Sequence, residues 1–231
     1  MAEIFKSGNV EILDPQNVLD WQLRKIERIG RISYRSEKGE ITNETALKFI
    51  KARMKDGHFP ILEHGVMSVI FTDVSIGMSR ENNRHRICSI VERSTRYVDN
   101  SVLRVRLPDG VDENEIIGLE NGSEMSFKQI VDLMEMGYRG LKKQGWRKED
   151  ARQLLPIGTE TEEGMTANFR AWRHIIWTRT AKPAHWEIRG VMLDLLDQVK
   201  TRIPVVFDDI EIVGKDSRDL AYCEMKYRDE Y

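Results

Sequence analysis

The stretch Ser79–Tyr97 reads SRENNRHRICSIVERSTRY, and what surrounds it decides the fold. It holds Arg80, Arg84, Arg86, Arg93 and Arg96, interleaved with Glu81, Glu92, His85, Ser89 and Ser94. On its N-terminal side, Val66–Thr72 is rich in β-branched and aromatic residues, a strand pattern. On its C-terminal side, Leu103, Val105 and Leu107 alternate with Arg104 and Arg106, a second strand pattern. Pro108, Asp109 and Gly110 supply the turn that follows. The charged segment therefore lies between strands, and the helical patterns lie outside it.

Those helical patterns dominate the rest of the chain. Leu19, Leu23 and Ile26 recur at helical spacing, with Gly30 as the expected stop. Thr42 or Asn43 caps a second helix with Leu47, Ile50 and Met54 on one face, ended by Gly57. Ser126 and Gln129 form a capping box ahead of the stripe Phe127, Ile130, Met134, Tyr138 and Leu141, which Gly145 closes. A short helix before Pro156 carries Arg152, Leu154 and Leu155. A last long helix bears Ile188, Val191, Met192, Leu195 and Val199, and Pro204 breaks it. Val205–Val213 adds a short strand, and the polar run from Asp109 to Ser126 reads as a surface excursion. Helices on a modest sheet, without regular β-α-β alternation, predict an α+β fold. Residues 1–231 show no internal repeat and read as one domain.

Composition removes whole classes of function. The 231 residues carry 36 basic and 38 acidic side chains, a formal charge of -2, so the chain is no general nucleic-acid coat. Cys88 and Cys223 are the only cysteines, too few for a disulfide framework or a cysteine zinc site. No signal-peptide pattern opens the sequence, and no apolar run suits a membrane span, so a cytoplasmic setting without membrane or nucleic-acid partners is expected. Neither G-x-G-x-x-G after a strand pattern nor a P-loop is present, and the histidines are scattered, so no metal site is expected. Any phosphate must be held by side chains. Arginine forks match phosphate geometry, and a carboxylate such as Glu92 accepts a ribose hydroxyl, which arginine cannot do. The bland alternative for Ser79–Tyr97 is a solvated helix face with pairs such as Glu81 to His85.

The order of residues points further than their composition. Arg84-His85-Arg86, seven residues, then Ser94 resembles the R-H-R-x7-S signature of the flavin-dependent thymidylate synthases. Arg80-Glu81 before it, and Glu92, Ser94, Arg96 and Tyr97 at its end, match as well. Upstream, Arg31-Ile32-Ser33 and the pair Gly57-His58 with Glu63-His64 resemble two more elements of that family. Downstream, Ala151-Arg152 to Leu155-Pro156, then Thr166 to Arg170 with Trp172-Arg173-His174, resemble two others. Arg179-Thr180, followed by Ala184 to Arg189, resembles the last. Asn82 and Asn83 stand where the family carries apolar residues, and Val91 where it carries Asn or Gln.

The resemblance implies an α+β domain of the thymidylate-synthase-complementing type, with a mainly antiparallel sheet. It implies conversion of dUMP to dTMP, with methylenetetrahydrofolate as carbon donor and NADPH-reduced FAD as hydride donor. Arg179 and Ser94 are the expected catalytic residues. Glu81, Glu92, Ser94, Arg96, Arg152 and Arg179 are the expected dUMP ligands. Ser33, His58, Arg84, His85, Arg86, Asn168, Arg170 and His174 are expected to face FAD. The active sites of that family lie between subunits of a homotetramer, and Cys88 falls at a position that is no nucleophile. The departures at Asn82, Asn83 and Val91 keep two alternatives open: a related enzyme acting on another pyrimidine nucleotide or leaving a hydroxymethyl group, and a nucleotide-binding homologue without catalysis.

Overall fold

A computed structural model describes residues 1–33 and 39–228. In chain order it begins with β1 (Glu3–Phe5), β2 (Asn9–Ile12), α1 (Gln16–Ile32) and α2 (Asn43–Lys55). After a 3-10 turn, Phe59–His64, come β3 (Val66–Ser75), α3 (Ile76–Asn82), β4 (Ser89–Glu92) and β5 (Arg104–Arg106). The hairpin β6 (Ile116–Gly118) and β7 (Glu124–Ser126) precedes α4 (Phe127–Lys143), α5 (Lys148–Ala151) and a 3-10 turn, Arg152–Leu154. The chain continues through β8 (Glu160–Asn168), α6 (Phe169–Thr180), α7 (Trp186–Arg202), α8 (Pro204–Phe207), β9 (Ile210–Lys215) and β10 (Ala221–Met225). The class is α+β, as expected. The largest sheet has the order β2-β3-β8-β4; the pairs β6–β7 and β9–β10 are antiparallel and β1–β5 is parallel.

The chain forms two compact units, each assembled from three separate stretches. The first comprises Met1–Asn9, Phe71–Arg84 and Val91–Glu163. Its core gathers Ala2, Leu103, Val105 and Val131, with Phe127 and Met134 of α4 packed against them. The inward face of α4 also carries a buried carboxylate, Glu135, which accepts the backbone N–H of Leu103 at 2.8 Å and pairs with Arg139 at 3.1 Å. The predicted capping box of α4 is present, with Ser126 and Gln129 bonded reciprocally. Gly145 then ends the helix at φ +92°.

The second unit comprises Val10–Ile70, His85–Ile90 and Gly164–Tyr231. Here α1 packs on α2 and α6 on α7. Thr42 is the cap of α2, and Gly57 follows its end at φ +76°, both as predicted. Trp172 is fully buried and donates its indole N–H to the carbonyl of Met67 at 2.9 Å. Gly65 is needed where α6 begins: a Cβ there would sit 2.4 Å from the Phe169 ring. Arg173 turns inward, pairing through Nη2 with Asp209 at 2.8 Å and reaching the carbonyl of Tyr227 at 3.0 Å.

Several expectations are corrected. Gly30 does not stop α1, which runs on to Ile32; it is buried against the Phe49 ring, which an added Cβ would approach to 2.5 Å. Leu47 is 38% exposed, and Ala46 takes its inward place beside Ile50 and Met54. Pro204 ends α7 but opens α8, so the strand predicted from Val205 begins only at Ile210. The polar excursion after Asp109 contains the β6–β7 hairpin. The segment Ser79–Tyr97 is no helix face: α3 ends at Asn82, and the chain then continues into β4.

Candidate active site

The first unit contains a cleft of about 600 Å³, lined by Ile76, Arg80, Glu92, Arg93, Ser94, Thr95, Arg152, Gln153, Leu155, Pro156 and Ile157. Three local structures supply its walls. Ser75 caps α3, accepting the N–H of Met78, and this helix carries Arg80. Strand β4 ends on Glu92, and the turn after it is closed by the N–H groups of Tyr97 and Val98 donating to the carbonyl of Ser94. The 3-10 turn after α5 presents Arg152.

The arginines here do different work. Arg93 is bound to the Glu160 carboxylate at 2.8 Å and braces β8. Arg152 is held by Thr95 Oγ1 at 3.1 Å and by the carbonyl of Glu149 at 3.2 Å, so its guanidinium is oriented at the cleft. Arg80 is exposed beside it. Two arginines, two hydroxyls and one carboxylate thus converge on a space large enough for a nucleoside monophosphate. Of the expected dUMP ligands, Glu92, Ser94 and Arg152 line the cleft, whereas Glu81 and Arg96 do not. Arg96 is half exposed, paired with Glu149 at 3.1 Å and set over the Tyr97 ring. Arg80 is named in the Arg80-Glu81 pair of the sequence without a ligand role, and Thr95 is not named; the signal for Thr95 is its place between Ser94 and Arg96.

A second group gathers in the other unit. Arg179, near the C-terminal end of α6, donates from Nε to His85 Nε2 at 2.9 Å. The His85 ring meets His174 edge-on at 6.1 Å, and His174 meets Trp177 likewise at 6.1 Å. Burial lowers the His85 pKa to about 4, and the positive charge of Arg179 and the neighbouring His174 push the same way. His85 is therefore neutral near pH 7, with the proton on Nδ1 and Nε2 as acceptor. The arrangement holds the Nε side of the Arg179 guanidinium against a neutral acceptor.

The remaining expected flavin residues are placed as follows. Asn168 caps α6, its Oδ1 accepting the N–H of Ala171 at 2.8 Å, and Arg170 pairs with Glu63 at 2.5 Å. Ser33, His58 and Arg86 are exposed in the second unit, and Arg84, also exposed, closes a segment of the first. Cys88 donates to the carbonyl of His85 at 3.2 Å, and Cys223 is buried; neither is in a disulfide. Among the described residues no group of three or more His, Cys, Asp or Glu side chains is disposed to hold a metal ion, and no helix is long and apolar enough to cross a membrane.

Comparison with known proteins places these groups in a lineage. The family model described as thymidylate synthase complementing protein matches residues 18–205. The flavin-dependent thymidylate synthase of Mycobacterium avium is 32% identical over 197 residues, spanning 81% of this chain and 79% of that protein. Its counterpart in Mycolicibacterium vanbaalenii is 31% identical over 198 residues, with the same coverage of 81% and 79%. Among solved structures, the UMP/dUMP methylase PolB from Streptomyces cacaoi, bound with 5-Br UMP, superimposes with a TM-score of 0.69 at 21% identity, covering 90% of this chain and 95% of that one. The match across most of the chain, with the arginine-lined cleft and the His85–Arg179 pair inside the matched region, leads to one conclusion: the chain belongs to the thymidylate synthase complementing protein family, the enzyme family of the flavin-dependent thymidylate synthases.

Proposed function

We propose that the protein converts dUMP to dTMP, taking the carbon from methylenetetrahydrofolate and reducing power from NADPH through FAD. The observation that carries this reading is the cleft of the first unit, where Arg80, Arg152, Ser94 and Thr95 offer phosphate donors and Glu92 offers an acceptor for the sugar hydroxyl. The residues of the second unit suit a flavin: the exposed guanidinium of Arg86 and the partly buried one of Arg170 fit phosphates, and His85, His174 and Trp177 form an edge-to-face cluster of rings beside them in the sequence motifs. When bound, FAD supplies the hydride that completes the methyl group. Around it the protein binds and orients. Arg152, with Arg80, holds the phosphate, Glu92 holds the sugar, and Arg179 meets the uracil edge and stabilises negative charge that develops on the ring. His85 accepts from Nε of Arg179 and so helps to orient its fork. The nucleotide and flavin residues complete one another in a homotetramer with active sites between subunits.

Mass-spectrometric product analysis tests the reading. Protein incubated with dUMP, methylenetetrahydrofolate, NADPH and FAD should release dTMP and tetrahydrofolate's oxidised counterpart should not accumulate. A hydroxymethylated product, or turnover of a different pyrimidine only, overturns it in favour of a related chemistry, and binding of dUMP without turnover overturns it in favour of a non-catalytic homologue.

A further inference from the structure

Strand β8 reads ETEEGMTAN, and its alternation turns Thr161, Glu163, Met165 and Ala167 inward. Glu163 is 1% exposed, and Asn82, the last residue of α3, is completely buried against it. Asn82 Nδ2 donates to Glu163 Oε1 at 2.8 Å. The other two polar atoms of this pair, Asn82 Oδ1 and Glu163 Oε2, are buried and have no hydrogen-bond partner among the described residues. Both are acceptors in the ionised state, so neither can satisfy the other. Two orphaned acceptors and a buried negative charge are together a costly arrangement. A single proton on Oε2 changes all of this: the group loses its charge and gains an O–H donor, and the amide carbonyl of Asn82 is the acceptor it lacks.

We propose that Glu163 is an un-ionised carboxylic acid closed on Asn82 by two hydrogen bonds, and that this pair is a positioning element that fixes α3 against β8 and leaves Glu92 as the unbalanced carboxylate of the nucleotide cleft. The electrostatics agree with the geometry. Burial raises the Glu163 carboxyl to about 7; hydrogen bonds from Ser79 and Asn82 oppose that rise, and the negative charge of Glu92 adds to it. The other charged groups on the packed elements are Glu81 of α3, half-buried, Glu162 of β8, exposed on the strand's outer side, Glu160, bound by Arg93, and Asp73 of β3, bound by Arg104, which also pairs with Glu160. Arg80, on α3 two residues from Asn82, lines the cleft itself. Ionising Glu163 breaks the second hydrogen bond and adds a negative charge close to Glu92, which disfavours a phosphate in the cleft.

The sign of the pH dependence follows. The folded-state carboxyl is raised, so the pair's contribution is complete below the ordinary carboxylate value of 4.5 and is lost as pH rises through about 7. Glu163→Gln supplies the same donor and acceptor pattern as the neutral acid and cannot ionise. The infrared difference between wild type and E163Q should show the carbonyl stretch of a protonated acid at about pH 5.5, fading through about 7. Over the same range the melting temperature of wild type should fall relative to E163Q. The ratio of dUMP affinities, wild type over E163Q, should drop several-fold by about pH 8.5, and the nucleotide's own phosphate titration cancels in that ratio. Absence of the acid band, a flat melting-temperature difference, or failure of E163Q to fold overturns the proposal. The positioning role also rests on the nucleotide occupying this cleft: dUMP binding to neither protein at any pH overturns that assignment and the role with it, while the infrared and thermal profiles judge the acid–amide pair independently.

Discussion

At the scale of single residues, the cleft separates arginines that look alike in sequence. Arg152 is oriented at the cleft by Thr95, whereas Arg96 is engaged with Glu149 on the surface. Arg152→Ala should weaken dUMP binding by about 1.5–3 kcal/mol, the usual worth of a charged hydrogen bond. Arg96→Ala removes an exposed ion pair, worth about 1 kcal/mol at most, and should change affinity far less. Calorimetric titration of both variants checks the ordering; equal losses would place the phosphate against Arg96 as well. Arg179 is tested through chemistry. Arg179→Ala should still allow NADPH to reduce added FAD, yet slow dTMP formation by about 10²-fold, as expected for a lost charge donor in the transition state. Arg179→Lys should recover little, because a point charge cannot donate one fork to His85 and another to the ring. Acid should act at the same contact: the His85 pKa is depressed to about 4, so the contact is intact above the ordinary value of 6.5 and fails as pH falls towards 4. Single-turnover oxidation of pre-reduced flavin with dUMP and the folate donor measures both effects.

At the scale of elements, packing decides where the sequence could be read and where it could not. The helices are legible because α1, α4 and α7 carry apolar residues at helical spacing, with a capping box at the start of α4 and Pro204 after α7. Strand β8 was hidden because its inward residues include Thr161 and Glu163, so the period of two was masked by polarity. Gly30 was misread as a stop because its role, giving way to the Phe49 ring, involves a residue on another helix. The site shows the same division. Glu92, Ser94 and Arg152 are named as ligands from the order of their motifs, while Arg80, quoted in a motif without a role, and Thr95 join them through the folding of α3 and the turn after β4. The junction from the 3-10 turn to α6 gives a direct test of packing. Gly65→Ala would drive a methyl into the Phe169 ring, 2.4 Å away, and should lower stability by about 1–3 kcal/mol. Urea unfolding measures it; an unchanged midpoint would mean that the ring yields freely.

At the scale of the whole molecule, the residues proposed for the nucleotide phosphate and sugar lie in the first unit and most of those proposed for flavin lie in the second. Sedimentation should show a tetramer, and the purified protein should carry, or take up, a yellow flavin with no covalent attachment. A monomer that remains colourless after addition of FAD would defeat this. Exposed apolar side chains such as Ile87, Val91 and Tyr97 are available to be covered when subunits meet. The division of the chain has a consequence for dissection of the protein. Each unit draws on three stretches of chain, and β3, β4 and β8 each contribute residues to both. No single continuous stretch of chain contains either unit whole, so neither can be excised as one segment. A truncation from either end of the chain therefore removes part of both units before it completes the loss of one.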